Sequence, residues 1–320
     1  MRVSTSQIYD TGINGITRNQ ASMLKTQTQI TTGRRVLTPS DDPVASARAL
    51  VVTQSQQLNQ RYLENQKQAG EQLAFTESTL GSVTKLIQNV LDTTIQAGNT
   101  GTVDDAGRKI LARELRSRYD ELAALANTQD GEGNYIFAGF NTATRPFPTA
   151  AISSDAAGAP ISSVNYAGDD GKRALQVESS RVMPVNETGS DVFVRIRDKN
   201  GNLTNENVFE SLGNFITALE TTPFDAAAFK TTYDASLGNF NAALDNTLRL
   251  RTAAGSRMAE LESMKTTAGD RDLQYESTLS DLQDLDYADA LSSLSKQQLI
   301  LDAAQKSFMA MTQLGLFNKL

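Results

Sequence analysis

Cysteine, histidine and tryptophan are all missing from this 320-residue chain. Without cysteine there is no disulfide scaffold, no thiolate zinc site and no cysteine nucleophile, and without histidine there is no histidine-dependent triad. Carboxylate metal sites and Ser-Lys chemistry stay formally open. Aromatic residues make up 6% and apolar residues 39%, enough for a core but thin for one large one. No uninterrupted apolar run approaches the length of a membrane span, and Met1 to Asp10 has no apolar h-region, so neither a spanning segment nor Sec-type export is expected. Net charge is -7, with no general basic footprint, and no nucleic-acid partner is expected.

Both ends of the chain carry a 3-4 apolar repeat. Ile13, Ile16, Met23 and Ile30 form one row near the start, and Tyr287, Leu291, Leu294, Leu301 and Phe308 form another near the end. Gln20, Gln27, Gln298 and Gln305 fill the intervening positions, too polar for either helix to be stable alone, so each is expected to be ordered by pairing. Local charge agrees. The first forty residues hold Arg2, Arg18, Lys25, Arg34 and Arg35 against Asp10, while residues 281 to 320 hold five Asp against three Lys. Two readings of the seams stand side by side: an intrachain coiled-coil pair, or that pair with further contacts between copies in a tube.

The remaining punctuation divides the chain. A first helix is expected over Ser6 to Thr32, stopping at Gly33; Asp42 is placed to cap a second helix whose first residue is Pro43, running to Ala97. Gly98 to Gly101 breaks it, and Thr102 with Asp105 reads as a capping box for a third helix through Leu111, Leu115 and Leu122. From Gly131 the pattern changes. Strands are expected at 134–140, Ile161 to Tyr166, Ala174 to Val177 and Val192 to Ile196, with Asp170-Gly171 as a hairpin turn. Helices resume near Asn205, a start signal lies at Thr222-Pro223 with Asp225, and Gly269-Asp270 is expected to separate that helix, ending near Lys265, from a last one over Arg271 to Leu314.

The fold class is therefore mainly α with a β-rich insertion: long antiparallel helices in an elongated subunit, with the terminal helices pairing as a coiled coil. Three parts are expected. Residues 1–42 with 271–320 form a terminal helical assembly domain, 43–131 with 205–270 a helical body, and 132–204 a β-rich projection. Asp169, Asp170 and Asp191 lack the spacing of a calcium loop, and Gly131-Glu132-Gly133 leads into an expected strand without the Lys-Ser or Lys-Thr of a phosphate loop. No cofactor, metal or catalysis is expected.

The junction Ile30-Thr31-Thr32-Gly33-Arg34-Arg35-Val36-Leu37-Thr38-Pro39-Ser40-Asp41-Asp42-Pro43 resembles the arm-to-body junction of the bacterial flagellin superfamily. Met1 to Thr5, Gly131 to Gly139 and Leu314 to Phe317 agree with its family of hook-filament junction proteins. The resemblance covers roughly 1–140 and 205–320. It implies an axial core lined by the terminal helices, extracellular location in the flagellum after secretion through the flagellar export apparatus, self-assembly as a layer, the first hook-associated protein as proximal neighbour, flagellin as distal neighbour, and a dedicated export chaperone that meets the C-terminal helix. Leu294, Leu301 and Phe308 are candidate chaperone contacts. Arg34, Arg35, Asp41, Asp42 and Pro43 form the junction turn, whose arginines are either solvated or paired between protofilaments. A filament flagellin and a binding module displayed on a helical stalk are the alternatives.

Overall fold

The computed structural model describes residues 5–99, 103–148, 164–197, 201–204 and 207–317. Among these residues six helices dominate: α1 Thr5–Thr32, α2 Pro43–Ala97, α3 Asp105–Ala126, α4 Val208–Glu220, α5 Ala226–Gln283 and α6 Tyr287–Phe317. One antiparallel hairpin, β1 Ala174–Glu178 and β2 Arg181–Pro184, lies between α3 and α4. The chain is mainly α with a small β-hairpin insertion. Its contacts separate into two compact units, Met1–Gln60 with Gly269–Leu320, and Arg61–Ala268.

In the first unit α1 packs against α6. Tyr9 meets Phe308, Gln297 donates to Ser22 and Gly33 lies beside Tyr287, so residue numbers rise along one helix as they fall along the other: the pair is antiparallel. Gly33 ends α1 with φ +70°, a left-handed conformation in which a side chain is strained. The Asp42 carboxylate then accepts from the Ala45 amide at 3.0 Å, and Pro43 opens α2 where its missing N–H leaves no bond unmade.

The second unit has its own core. Leu80, Val83, Ile87 and Val90 of α2 meet Leu115 and Leu122 of α3, Phe209 and Ile216 of α4, and Phe240 and Leu250 of α5. Asn207 and Glu210 close a reciprocal capping box at the start of α4, and Arg116 of α3 grips Glu220 of α4 through two hydrogen bonds of 3.0 and 2.5 Å. A smaller cluster of Ala69, Leu73, Val177, Met183, Val185, Ala254 and Leu261 seats the hairpin on α2 and α5. The Asn65 and Gln66 amides donate to the Gln176 and Val177 carbonyls at 2.7 and 2.8 Å.

Several local expectations are corrected. Val192 to Ile196 is not a strand: Ser190–Val194 forms a single π-helical turn that drives Phe193 among Phe137, Phe147 and Phe209, so aromatic packing overrides the β preference of its valines. Residues 134–140 are turns with one bridge from Tyr135 to Gln129, because Asp130 takes the Glu132 and Asn134 amides and folds the segment back. The hairpin turns at Ser179-Ser180, not at Asp170-Gly171. Asp104 caps α3 through the Gly107 amide; Thr102, named in the expected capping box, Ile161 to Ser163 and the Met1 to Ser4 start lie outside the described residues. Asp225 lies just before α5 and caps it through the amides of Ala227 and Ala228. That helix does not stop at Gly269. It runs to Gln283, since a lone glycine costs a helix only about 1 kcal/mol.

Candidate functional site: the paired terminal helices and the junction turn

Along α1 the inward positions recur at Tyr9, Gly12, Ile16, Asn19, Met23, Thr26, Ile30 and Gly33, a 3-4 spacing. On α6 they are Ala290, Leu294, Gln297, Leu301, Ala304 and Phe308. Phe308 lies edge-on to Tyr9, ring centres 5.8 Å apart, and covers Gly12 so closely that a Cβ there would stand 2.6 Å from its ring. Thus the structure brings Ile16, Met23 and Ile30 together with Leu294, Leu301 and Phe308. It leaves Ile13 and Leu291 about half exposed, at 51% and 52%. Tyr287 is exposed too, with its hydroxyl over Gly33. Gln20, Gln27, Gln298 and Gln305 point outward. The second row of the seam consists of Gly12, Asn19 and Thr26 against Ala290, Gln297 and Ala304, residues too small or polar to register as an apolar repeat.

The junction turn is pinned where α5 passes into α6. The Arg35 amide donates to the Gln283 carbonyl at 2.7 Å, the Leu285 amide to the Gly33 carbonyl at 3.0 Å, and Arg34 and Asp284 form an isolated antiparallel bridge. Arg35 contributes its side chain as well: one guanidinium nitrogen meets Asp42 at 3.2 Å and the other the Leu282 carbonyl at 2.8 Å. Gln29 donates to the Arg35 carbonyl at 2.5 Å. Arg34 stands exposed, at the rim of a cleft of about 250 Å³ lined by Leu37, Pro39, Leu50, Thr53 and Gln283.

Two carboxylates organise this turn. Asp41 accepts from Lys25 at 2.5 Å and from the amides of Leu37 and Thr38 at 3.1 and 2.9 Å. The Lys25 hydrogen bond, then the Thr38 amide, hold its carboxyl down at about 2. Asp42 is lowered as well, first by the Ala45 amide and then by Arg35. Neither Lys25, Gln29 nor Leu282 stands out in the sequence as a partner of this turn, because each reaches it only once the chain has folded back at the end of α1 or brought α5 alongside.

The acidic loop of the second unit is occupied with structure. Asp169 accepts from the amides of Phe140, Asn141 and Gly171 at 2.7–3.0 Å, which lowers its carboxyl, the Phe140 amide most. Lys172 and Arg195 lie by Asp191, and Arg195 also meets Asp170. Among the described residues no group of three or more acidic side chains is arranged to hold a metal ion.

Comparison with known proteins places this architecture. Residues 3–142 match the family model of the bacterial flagellin N-terminal helical region. Over 99% of both chains the sequence is 37% identical to the flagellar hook-associated protein 3 of Escherichia coli K12. To the flagellin of Bacillus subtilis 168 it is 23% identical, over 95% of this chain and 94% of that one. The structure of a putative flagellar hook-associated protein from Vibrio parahaemolyticus superposes with a TM-score of 0.64 at 24% identity, covering 76% of this chain and all of that one, and so shares the fold. With that identity held from end to end, and the helical pair, pinned turn and hairpin-bearing body in place, this chain belongs to the flagellar hook-associated protein 3 family of the flagellin superfamily.

Proposed function

We propose that this chain forms a junction layer in which the α1–α6 pair packs against neighbouring copies, the first hook-associated protein lies on the proximal side and flagellin on the distal side. Its function is that of a structural adapter between the hook and the filament of the flagellum, secreted and extracellular, and it is not an enzyme. The observation that carries the adapter reading is the 37% identity to hook-associated protein 3 along the whole length, against 23% to flagellin.

What supports the assembly role of the terminal helices is the apolar surface left outside their seam. Ile13, Leu24, Leu291, Leu299 and Ile300 are exposed on a pair whose own packing uses other residues. Such surface favours further helices. The three-part division, terminal assembly domain, helical body and a projection over 132–204, belongs to the same proposal. So does an export chaperone that holds Leu294, Leu301 and Phe308 before α1 covers them, since one face cannot serve both partners at once.

Deleting the gene in its flagellated source tests the function. Hooks without attached filaments, with flagellin still released into the medium, are expected. Normally attached filaments would overturn the adapter reading, and absence of filament material altogether would point to a flagellin.

A further inference from the structure

The first unit carries two exposed stripes away from the α1–α6 seam, and their chemistry is complementary. On α2, Ala45, Ala49 and Asn59 are buried, while Val44, Arg48, Val51, Ser55 and Leu58 recur at 4-3-4-3 spacing along another face, with Val44 64% and Val51 63% exposed. That is the row of a helical seam with none of the described helices covering Val44 and Val51. Between Pro43 and Gln60 the sequence has Arg48 and no acid. Asp41 and Asp42, just before it, are held by Lys25 and Arg35, and the exposed Arg34 precedes them.

The counterpart is the end of α5. Ala268 faces inward, whereas Asp270, Leu273, Ser277 and Asp281 line one outer face, and Leu273 is 67% exposed. Residues 269–290 hold seven acids and one base. A leucine between carboxylates on one stripe and valines flanking Arg48 on the other give each what its opposite lacks: apolar surface to bury and an ion to face. One molecule carries both. Two copies therefore satisfy them when the first stripe of one lies on the second stripe of the next, a head-to-tail contact that extends from copy to copy, whereas a stripe laid on its own counterpart would set like charges together.

We infer that the Val44-Arg48-Val51-Leu58 stripe of one copy docks on the Asp270-Leu273-Asp281 stripe of the next, as a contact between copies separate from the α1–α6 seam. The inference rests on the reading of this chain as an assembling subunit, and names the surface by which copies meet.

The chain has no cysteine, so single cysteines report contacts without background. Cells of the flagellated source lacking the native gene are made to produce Val51→Cys, Leu273→Cys, or both variants together, and isolated flagella are treated with a short bis-maleimide. Both positions are exposed, so the folds are expected to be intact. A dimer of this chain is expected only where the two variants are produced together. Dimers from Val51→Cys alone, or no dimer from the mixture although filaments are attached, would overturn the inference. A charge swap covers the case in which a cysteine variant blocks attachment. Arg48→Glu is expected to reduce the number of attached filaments about fivefold, the scale of one exposed ion pair, and Asp270→Arg with Asp281→Arg in the same chain to restore them. An Arg48→Glu chain that attaches filaments as well as the native one sinks the stripe while leaving the adapter function, which the gene deletion tests, untouched.

Discussion

Asp41 shows how one side chain ties the end of α1 to the start of α2, since Lys25 and two turn amides converge on its carboxylate. Its carboxyl sits near 2 against an ordinary 3.8, so the contribution to stability is fully present above the ordinary value and is lost as pH falls through about 2. The urea midpoints of the native chain and Asp41→Asn are therefore expected to differ by a constant amount near neutral pH and to converge between 3.8 and about 2. A gap that stays constant across that window would refute the role. At Gly33 the constraint is backbone geometry: φ is +70°, and a Cβ would stand 2.9 Å from the Tyr287 hydroxyl. Gly33→Ala is expected to cost about 1–2 kcal/mol of local stability, read as faster amide exchange at the end of α1, with Gly33→Asn milder. The stop at Gly33 and the start at Asp42-Pro43 were legible because each depends on a property of its own residue, a missing Cβ, a short acceptor, a missing N–H. The partners of Asp41 and Arg35 were not, because the Lys25 ammonium and the Leu282 carbonyl come near only after the helices are in place.

For the helices, spacing was legible and register only half so. A 3-4 repeat through Ile16, Met23 and Ile30 needs a second row, and Ile13 with two glutamines competes with Gly12, Asn19 and Thr26 one residue earlier. Sequence favours the row with the isoleucine. The structure uses the row with the glycine, because Phe308 needs the space over Gly12. Leu294→Ala and Leu301→Ala are each expected to weaken the pair by about 1–2 kcal/mol, below the cost of a fully buried leucine because both are only partly buried. Amide exchange along α1 is expected to speed up about tenfold in each, since 1.4 kcal/mol of opening free energy corresponds to that factor. Ile13→Ala, on the outer face, is expected to leave α1 exchange in the free chain unchanged. Equal acceleration in all three would remove the seam described here. The break between the last helices carries the same lesson in reverse: Gly269 looked like a stop and is not, while Asp286, which accepts from the amides of Ala288 and Asp289, is the cap that starts α6.

At the scale of the molecule, the order of helical arm, helical body, irregular insertion, body and arm was readable from where periodicity changes. The content of the insertion was not. Valine and phenylalanine at 192–194 favour a strand in isolation, yet the energy available from a cluster of Phe137, Phe147, Phe193 and Phe209 exceeds that preference, and among the described residues the hairpin at 174–184 is what survives as sheet. Among the described residues, the core cluster of the unit spanning Arg61–Ala268 is built from α2, α3, α4, α5 and the segments between them. A chain lacking residues 1–42 and 287–320 is therefore expected to keep the helical circular dichroism of the body and a cooperative melt within a few degrees of the native one, because removal of an independently packed unit leaves the other's core intact. It is also expected to fail to attach filaments when it replaces the native chain. Loss of the cooperative melt would show that the arms complete the body's core, and attachment by the shortened chain would move the assembly role from the terminal helices to the body.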